Sequence, residues 1–218
     1  MATHSPSVAS TGRRAQSRAR RRQQLIDATI KCIARKGLGS TTLSDVATEA
    51  GLSQGIINLH FESKDNLLAE TLRTLAEEYD DQFMQTLRGQ PDDPAAALLA
   101  LMEMDLRPPV CDRRKLAGWF AVWGEVKAVP TYQKICAERD QKYDAVMLEL
   151  TDAVIRDGAY EGVDAQIVVD GLSSMTDGMW LSCLVNPKTF DAAAARRAVR
   201  HYLATVFPRH YQRELNEH

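Results

Sequence analysis

The chain has 218 residues, of which 44% are apolar and 26% charged, with a formal net charge of −2. This is globular composition for one large domain or two modest ones, and it excludes a disordered or fibrous chain. The longest apolar run, Ala95–Met102, is far too short to cross a bilayer, and no apolar leader core stands near the start. The charge is unevenly placed. Residues 1–65 hold ten of the 27 Lys/Arg and five of the 29 acids, which leaves 17 basic and 24 acidic residues beyond them. A basic head on an acidic body is the asymmetry expected of a nucleic-acid-binding unit joined to a separate one. The four cysteines (32, 111, 136, 183) form no CxxC pair, so they read as buried thiols of a reducing compartment, and the cytoplasm is the expected location.

Residues 1–12 are Ser/Thr/Ala-rich without periodicity, which suggests disorder. Six arginines without an acid follow between 13 and 22. Such a run is either a solvated helix start or an arm that contacts phosphates and enters the minor groove, with Arg20 and Arg21 as its candidate contacts. The arm reading is favoured by what comes next. A first helix is expected from about Arg20 to Lys36, with Ile26, Ile30, Ile33 and Ala34 as its core stripe and Gly37 as its cap.

The stretch 41–64 carries the clearest pattern. Thr42 and Asp45 form a capping-box pair, and Leu43, Val46, Ala47 and Ala50 recur at helical spacing. Gly51 suits the left-handed conformation that stops a helix, and Ser53 then caps a second one over Gln54–Phe61. Ile57 and Phe61 share a face that can pack on the first helix, while Gln54 and Asn58 share another. Two short helices joined by a three-residue turn with glycine first describe a helix-turn-helix. A fourth helix begins after Ser63 and runs to about Arg88, long enough to connect head and body.

Beyond Gly89, helices are expected over roughly 93–106, 113–127, 130–156, 163–185 and 191–207, each bounded by Gly or Pro. No segment alternates with period two. The chain is therefore expected to be all-α, with nine helices. Its parts are a disordered basic arm (1–19), a helix-turn-helix domain (20–66), a ligand-binding and dimerisation body (67–210) and a short tail (211–218).

At this point LIDATIKCIARKG, TTLSDVATEAGLSQGIINLHF and SKDNLL together resemble the DNA-binding domain of the TetR family of repressors, over roughly residues 20–70. The body is similar to BetI-type repressors of choline–glycine betaine metabolism. That likeness rests on RRRQQLIDATI at 20–30, GWFAVWGEV at 118–126 and DGMWLSCLVNPKTFD at 177–191. It implies a three-helix head, a larger helical body and a homodimer formed through the last two long helices. Two heads would place their recognition helices in successive major grooves, about 34–36 Å apart, on a pseudo-palindromic double-stranded operator. By the same resemblance Thr42 and Lys64 grip phosphates. Gln54 and Asn58 carry amides that can pair with adenine, Gly55 allows close approach, and Ser53 can both cap and touch phosphate. Many members have aromatics where Asn58 and His60 stand here. His60 can still donate to a phosphate, better when protonated. Leu59 either meets a thymine methyl or packs.

Aromatic residues are only 6% of the chain, yet Trp119, Phe120, Trp123, Tyr132, Tyr143 and Trp180 gather in the body. Taken singly, each is most simply core. Taken together, the tryptophans and tyrosines form a candidate cage for a quaternary ammonium such as choline, with Asp177, one turn before Trp180, as counter-charge. The expected protein is a ligand-responsive repressor of choline-to-betaine genes. The alternative within the class is a regulator answering another apolar or cationic compound, such as an efflux substrate. The alternative outside it is a helical interaction module that binds no DNA. With no HExxH, no CxxC and no phosphate-binding glycine loop, no enzyme chemistry, cofactor or metal is expected, and no membrane partner.

Overall fold

The computed structural model describes residues 8–90 and 92–212. Among them are ten helices and no strand, so the chain is all-α as its periodicity requires. The tenth helix, beyond the expected nine, is a single turn that Pro208 opens after the ninth has ended at Val206.

The head consists of α1 (Val8–Lys36), α2 (Leu43–Ala50) and α3 (Gln54–Phe61). Helix α1 starts at Val8 rather than near Arg20. Arginine, alanine and glutamine are strong helix formers and no proline interrupts them, so the arginine run extends the helix instead of trailing as a coil. Of the first twelve residues, expected to be disordered, 1–7 lie outside the described ones, as do 213–218 of the tail. Leu25, Ile26, Ile30 and Ile33 of α1 pack with Val46, Ala47, Ile57 and Phe61.

Helix α2 opens on a complete capping box: the Thr42 hydroxyl accepts from the Asp45 amide at 3.1 Å and Asp45 accepts from the Thr42 amide at 3.0 Å. It closes at Gly51, whose φ of 64° is the left-handed conformation that other residues adopt only with strain. Ser53 occupies the cap position of α3, but its side chain makes no capping hydrogen bond, contrary to the sequence reading.

Helix α4 (Lys64–Arg88) is 25 residues long, about 37 Å at 1.5 Å per residue. Its first half, through Leu67, Leu68 and Leu72, belongs to the head core, and its second half, through Tyr79 and Phe83, to the body core. The body continues with α5 (Pro94–Asp105), α6 (Arg113–Trp123), α7 (Pro130–Asp157), α8 (Ala165–Val185), α9 (Ala192–Val206) and α10 (Pro208–Tyr211). Apolar on all sides, α5 is buried in the body as such a helix must be. Helix α6 ends at Trp123, before the expected Lys127, with the chain running on as turns over 124–128. It also packs against α1, so two helices, α4 and α6, tie body to head. Tyr211, assigned to a tail by the sequence, is buried, with its hydroxyl donating to the Ala95 carbonyl at 2.8 Å.

The apolar residues of the last two long helices, through which a homodimer is expected, divide. Leu172, Ala195 and Val199 are buried in this chain's own core, and Met175, Met179, Tyr202 and Val206 pack partly against it. The large apolar residues left exposed on α8 are Ile167, at 69%, with Leu181 and Val185.

Candidate functional site

In the head, Gln54, Gly55, Asn58 and Leu59 of α3 are all exposed, while Ile57 and Phe61 are buried beneath them. The expected polar face of the recognition helix therefore points outward. Leu59, at 68% exposure, does not pack into the head core. Arg20, Arg21 and Ser53 are exposed, and Lys64 is half-exposed in the first turn of α4. Thr42 is exposed, but its hydroxyl also donates to Asp45 at 2.8 Å. Its one proton is thus engaged, and giving it to a phosphate requires breaking that bond. Asp45 is held in turn by Lys36 and Thr42, which pull its carboxyl down to about 2.

His60, expected to donate to a phosphate better when protonated, is held away from its charged form. Partial burial and then the positive charges of Arg18, Arg21 and Arg22 push its imidazole below the ordinary value, so it is neutral in the free protein at pH 7. The letters Gly51-x-Ser53-x-Gly55 also spell a nucleophile-elbow pattern. They join two helices instead of a strand and a helix, so the strained turn that exposes a nucleophile is absent.

In the body, a cavity of about 550 Å³ lies among α4, α5, α6, α7 and α8. That is within the range of small-molecule sites. Four of the six expected ligand residues line it: Trp123, Tyr143, Asp177 and Trp180. Trp119 and Tyr132 do not. Both are buried in the hydrophobic cluster shared with the head, and Trp119 borders a separate, smaller cavity of about 230 Å³ against α4.

The cavity also has residues that the sequence reading did not assign. Tyr79 adds a ring 6.3 Å from that of Trp180, nearly perpendicular to it, and 6.3 Å from that of Tyr143. Asp105 lies at the floor, fully buried, accepting from the Tyr79 hydroxyl at 3.0 Å, while its backbone carbonyl accepts from Trp180 Nε1 at 2.6 Å. Burial pushes its carboxyl up to about 7, against the pull of Tyr79 and Arg139. Asp140, Asp144, Asp170 and Asp177 surround the more open side, where burial raises Asp144 and Asp177 above the usual carboxylate range. Among the described residues, the one cation lining the cavity is Arg139. Five carboxyls, four aromatic rings and one guanidinium make a site suited to a cation with apolar surface.

These missed residues carried a signal. Arg139, Asp140, Tyr143 and Asp144 recur at i, i+1, i+4, i+5 on α7, and Asp170, Ser173, Ser174 and Asp177 form a polar stripe on the otherwise apolar α8. Asp105 ends an almost wholly apolar helix, an unusual place for an acid.

Residues 25–71 match the family model for bacterial regulatory proteins of the tetR family, and 94–208 match the model for the C-terminal part of BetI-type transcriptional repressors. The chain is 32% identical over 189 residues to the HTH-type transcriptional regulator BetI 2 of Chromohalobacter salexigens, covering 84% of this chain and 86% of that one. It is 29% identical over 187 residues to BetI of Paraburkholderia xenovorans, covering 85% and 93%. Among solved structures, a transcriptional regulator from Pseudomonas aeruginosa superposes with a TM-score of 0.76 at 25% identity, covering 89% of this chain and 94% of that one. A regulator from Saccharomonospora viridis in complex with choline superposes at 0.73 with 22% identity, covering 85% and 96%.

Proposed function

The chain belongs to the TetR family of transcriptional regulators, with a BetI-type body and no place among enzymes, and from that premise we propose that it is a choline-responsive repressor. In this reading it acts in the cytoplasm as a homodimer on a pseudo-palindromic operator that controls choline-to-glycine betaine genes. The observation that carries the ligand assignment is the cavity: Tyr79, Trp123, Tyr143 and Trp180 supply rings for a quaternary ammonium, and the surrounding carboxyls supply the opposite charge. The choline held by the Saccharomonospora viridis regulator, which shares the fold, supports the same ligand.

The head offers Gln54, Asn58 and Leu59 to base edges, and Lys64, Arg20, Arg21, Ser53, His60 and Thr42 to phosphates. Phosphate contacts set position, and base contacts set sequence. The partner copy covers the exposed apolar residues of α8, Ile167, Leu181 and Val185. Ligand in the cavity touches Tyr79 on α4 and Trp123 on α6, the two helices that hold the head. A ligand preferring one arrangement of these helices shifts the spacing of the two heads, and operator affinity changes by its differential affinity for the two states.

Calorimetric titration of the purified protein with choline, betaine aldehyde and glycine betaine tests the ligand. Saturable choline binding, weakened at least about tenfold in Asp177→Asn, is the expected result. Absence of heat with all three, in a folded dimer, would return the ligand to the wider class of apolar or cationic compounds.

A further inference from the structure

Three of the body's aromatic rings already hold a cation, and it is the protein's own. The Arg139 guanidinium carbon lies 4.6 Å from the Trp119 ring centroid, 5.4 Å from Tyr79 and 5.7 Å from Trp123, all within cation–π range. Two of these rings, Tyr79 and Trp123, line the candidate ligand cavity, and so does Arg139 itself. The side chain is only 13% exposed.

Its polar contacts are incomplete. Nε and Nη2 both donate to one oxygen of Asp140, at 2.8 and 2.5 Å, while Nη1 is buried and has no hydrogen-bond partner among the described residues. A guanidinium brings five N–H groups, and a surface of aromatic carbon accepts none of them well. A quaternary ammonium has no N–H to satisfy, so it can take the same ring surface without a stranded donor. Arg139 is also free to leave with its partner. Its ion pair is with the next residue in the chain, half-exposed Asp140, and its charge already acts on Asp144 and Asp177 at the open side.

Resting on the choline reading above, we infer that Arg139 is an internal competitor that fills the aromatic cage in the ligand-free protein and is displaced by an entering quaternary ammonium. The guanidinium swings toward the carboxylates at the mouth, and the ligand replaces it against Tyr79 and Trp123. Because those rings sit on α4 and α6, the exchange removes a tie between α7 and the helices that carry the head. It also makes Arg139 a determinant of ligand affinity, since a cation that takes the Tyr79–Trp123 surface binds at the cost of ejecting it.

The test is titration of choline into the full-length wild type, Arg139→Ala and Arg139→Lys, with helix content checked by circular dichroism. An emptied cage in Arg139→Ala is expected to tighten choline binding about tenfold, with Arg139→Lys, which keeps a competing cation, closer to wild type. Equal or weaker binding by folded Arg139→Ala, with wild type binding choline, overturns this inference alone. No binding by wild type or either variant overturns the choline reading and this inference with it. Should Arg139→Ala not fold, the wild type decides by NMR with labelled arginine. The δ-protons of Arg139, assigned through Arg139→Lys and shielded by the rings, should move to the position of exposed arginines at choline saturation. Their staying shielded refutes displacement.

Discussion

Replacing Asp105 with asparagine should stabilise the protein at alkaline pH, although it alters the most deeply buried acid of the body cavity. Burial raises this carboxyl from 3.8 to about 7, and it faces Tyr79, Tyr143, Arg139 and Asp177. Between about pH 4 and 7 the folded protein keeps a proton that the unfolded chain has released. Stability therefore falls as pH rises through that window, and the loss is complete above the folded-state value. At about 1.36 kcal/mol per pH unit, three units amount to an upper bound of roughly 4 kcal/mol. Asparagine is neutral throughout and its carbonyl oxygen can still accept from Tyr79, although an unpaired amide hydrogen returns about 1–3 kcal/mol. The net gain at pH 8 is then on the order of 1–3 kcal/mol, and at this chain length each kcal/mol moves Tm by about 2–4 °C. Thermal unfolding of wild type and Asp105→Asn at matched concentration, from pH 4.5 to 8, measures it. The variant should lie level with wild type or somewhat below it at pH 4.5, and cross to lie above it by several degrees at pH 8. A variant that is less stable at pH 8, or offset equally at both ends, would refute a buried ionisable Asp105.

The same carboxyl links ligand to pH. A cation in the cavity favours its ionised form, so choline affinity should rise from pH 6 to 8 and binding should release protons near neutrality. Calorimetry in buffers of different ionisation heat reads this release, and a pH-independent affinity would count against it. In the head, Lys64→Ala should weaken binding to all duplexes alike, whereas Asn58→Ala should relax sequence preference; equal losses on selected and random DNA for Asn58→Ala would remove it from base readout. Thr42→Ala breaks the capping box and should cost about 0.5–2 kcal/mol in denaturant melts, with an unchanged midpoint excluding the cap as a stabilising feature. Trp180→Phe keeps a ring but strands the Asp105 carbonyl, and should cost about 1–3 kcal/mol; a neutral result would mean that hydrogen bond is replaced.

Local chemistry made the head readable in the sequence. The Thr42–Asp45 box, Gly51 and the Ile57/Phe61 spacing each act within a few residues, and the structure places them as that chemistry requires. The cavity depends on contacts between distant segments, and there the sequence was less informative. Trp119 and Trp123 stand one turn apart on α6, yet one is sealed into the cluster with the head and the other reaches the cavity. Nothing in the spacing of α6 could show that Arg139, from α7, enters between them and Tyr79. Asp105 is an acid at the end of an apolar run, but its partner Tyr79 is 26 residues away on another helix. The extended α1 was missed for a different reason: a run of arginines before a helix-turn-helix reads as a phosphate-contacting arm, and only helix propensity argues for a helix.

The central claim is that a cation in the body controls what the head binds. Its most direct measurement is fluorescence anisotropy of the wild-type protein on a duplex selected from a random pool, with choline titrated at fixed salt. A saturable change in operator affinity, at choline concentrations that match its calorimetric binding and shifted in Asp177→Asn, is the expected result. Choline that binds the protein while leaving operator affinity unchanged would contradict the claim.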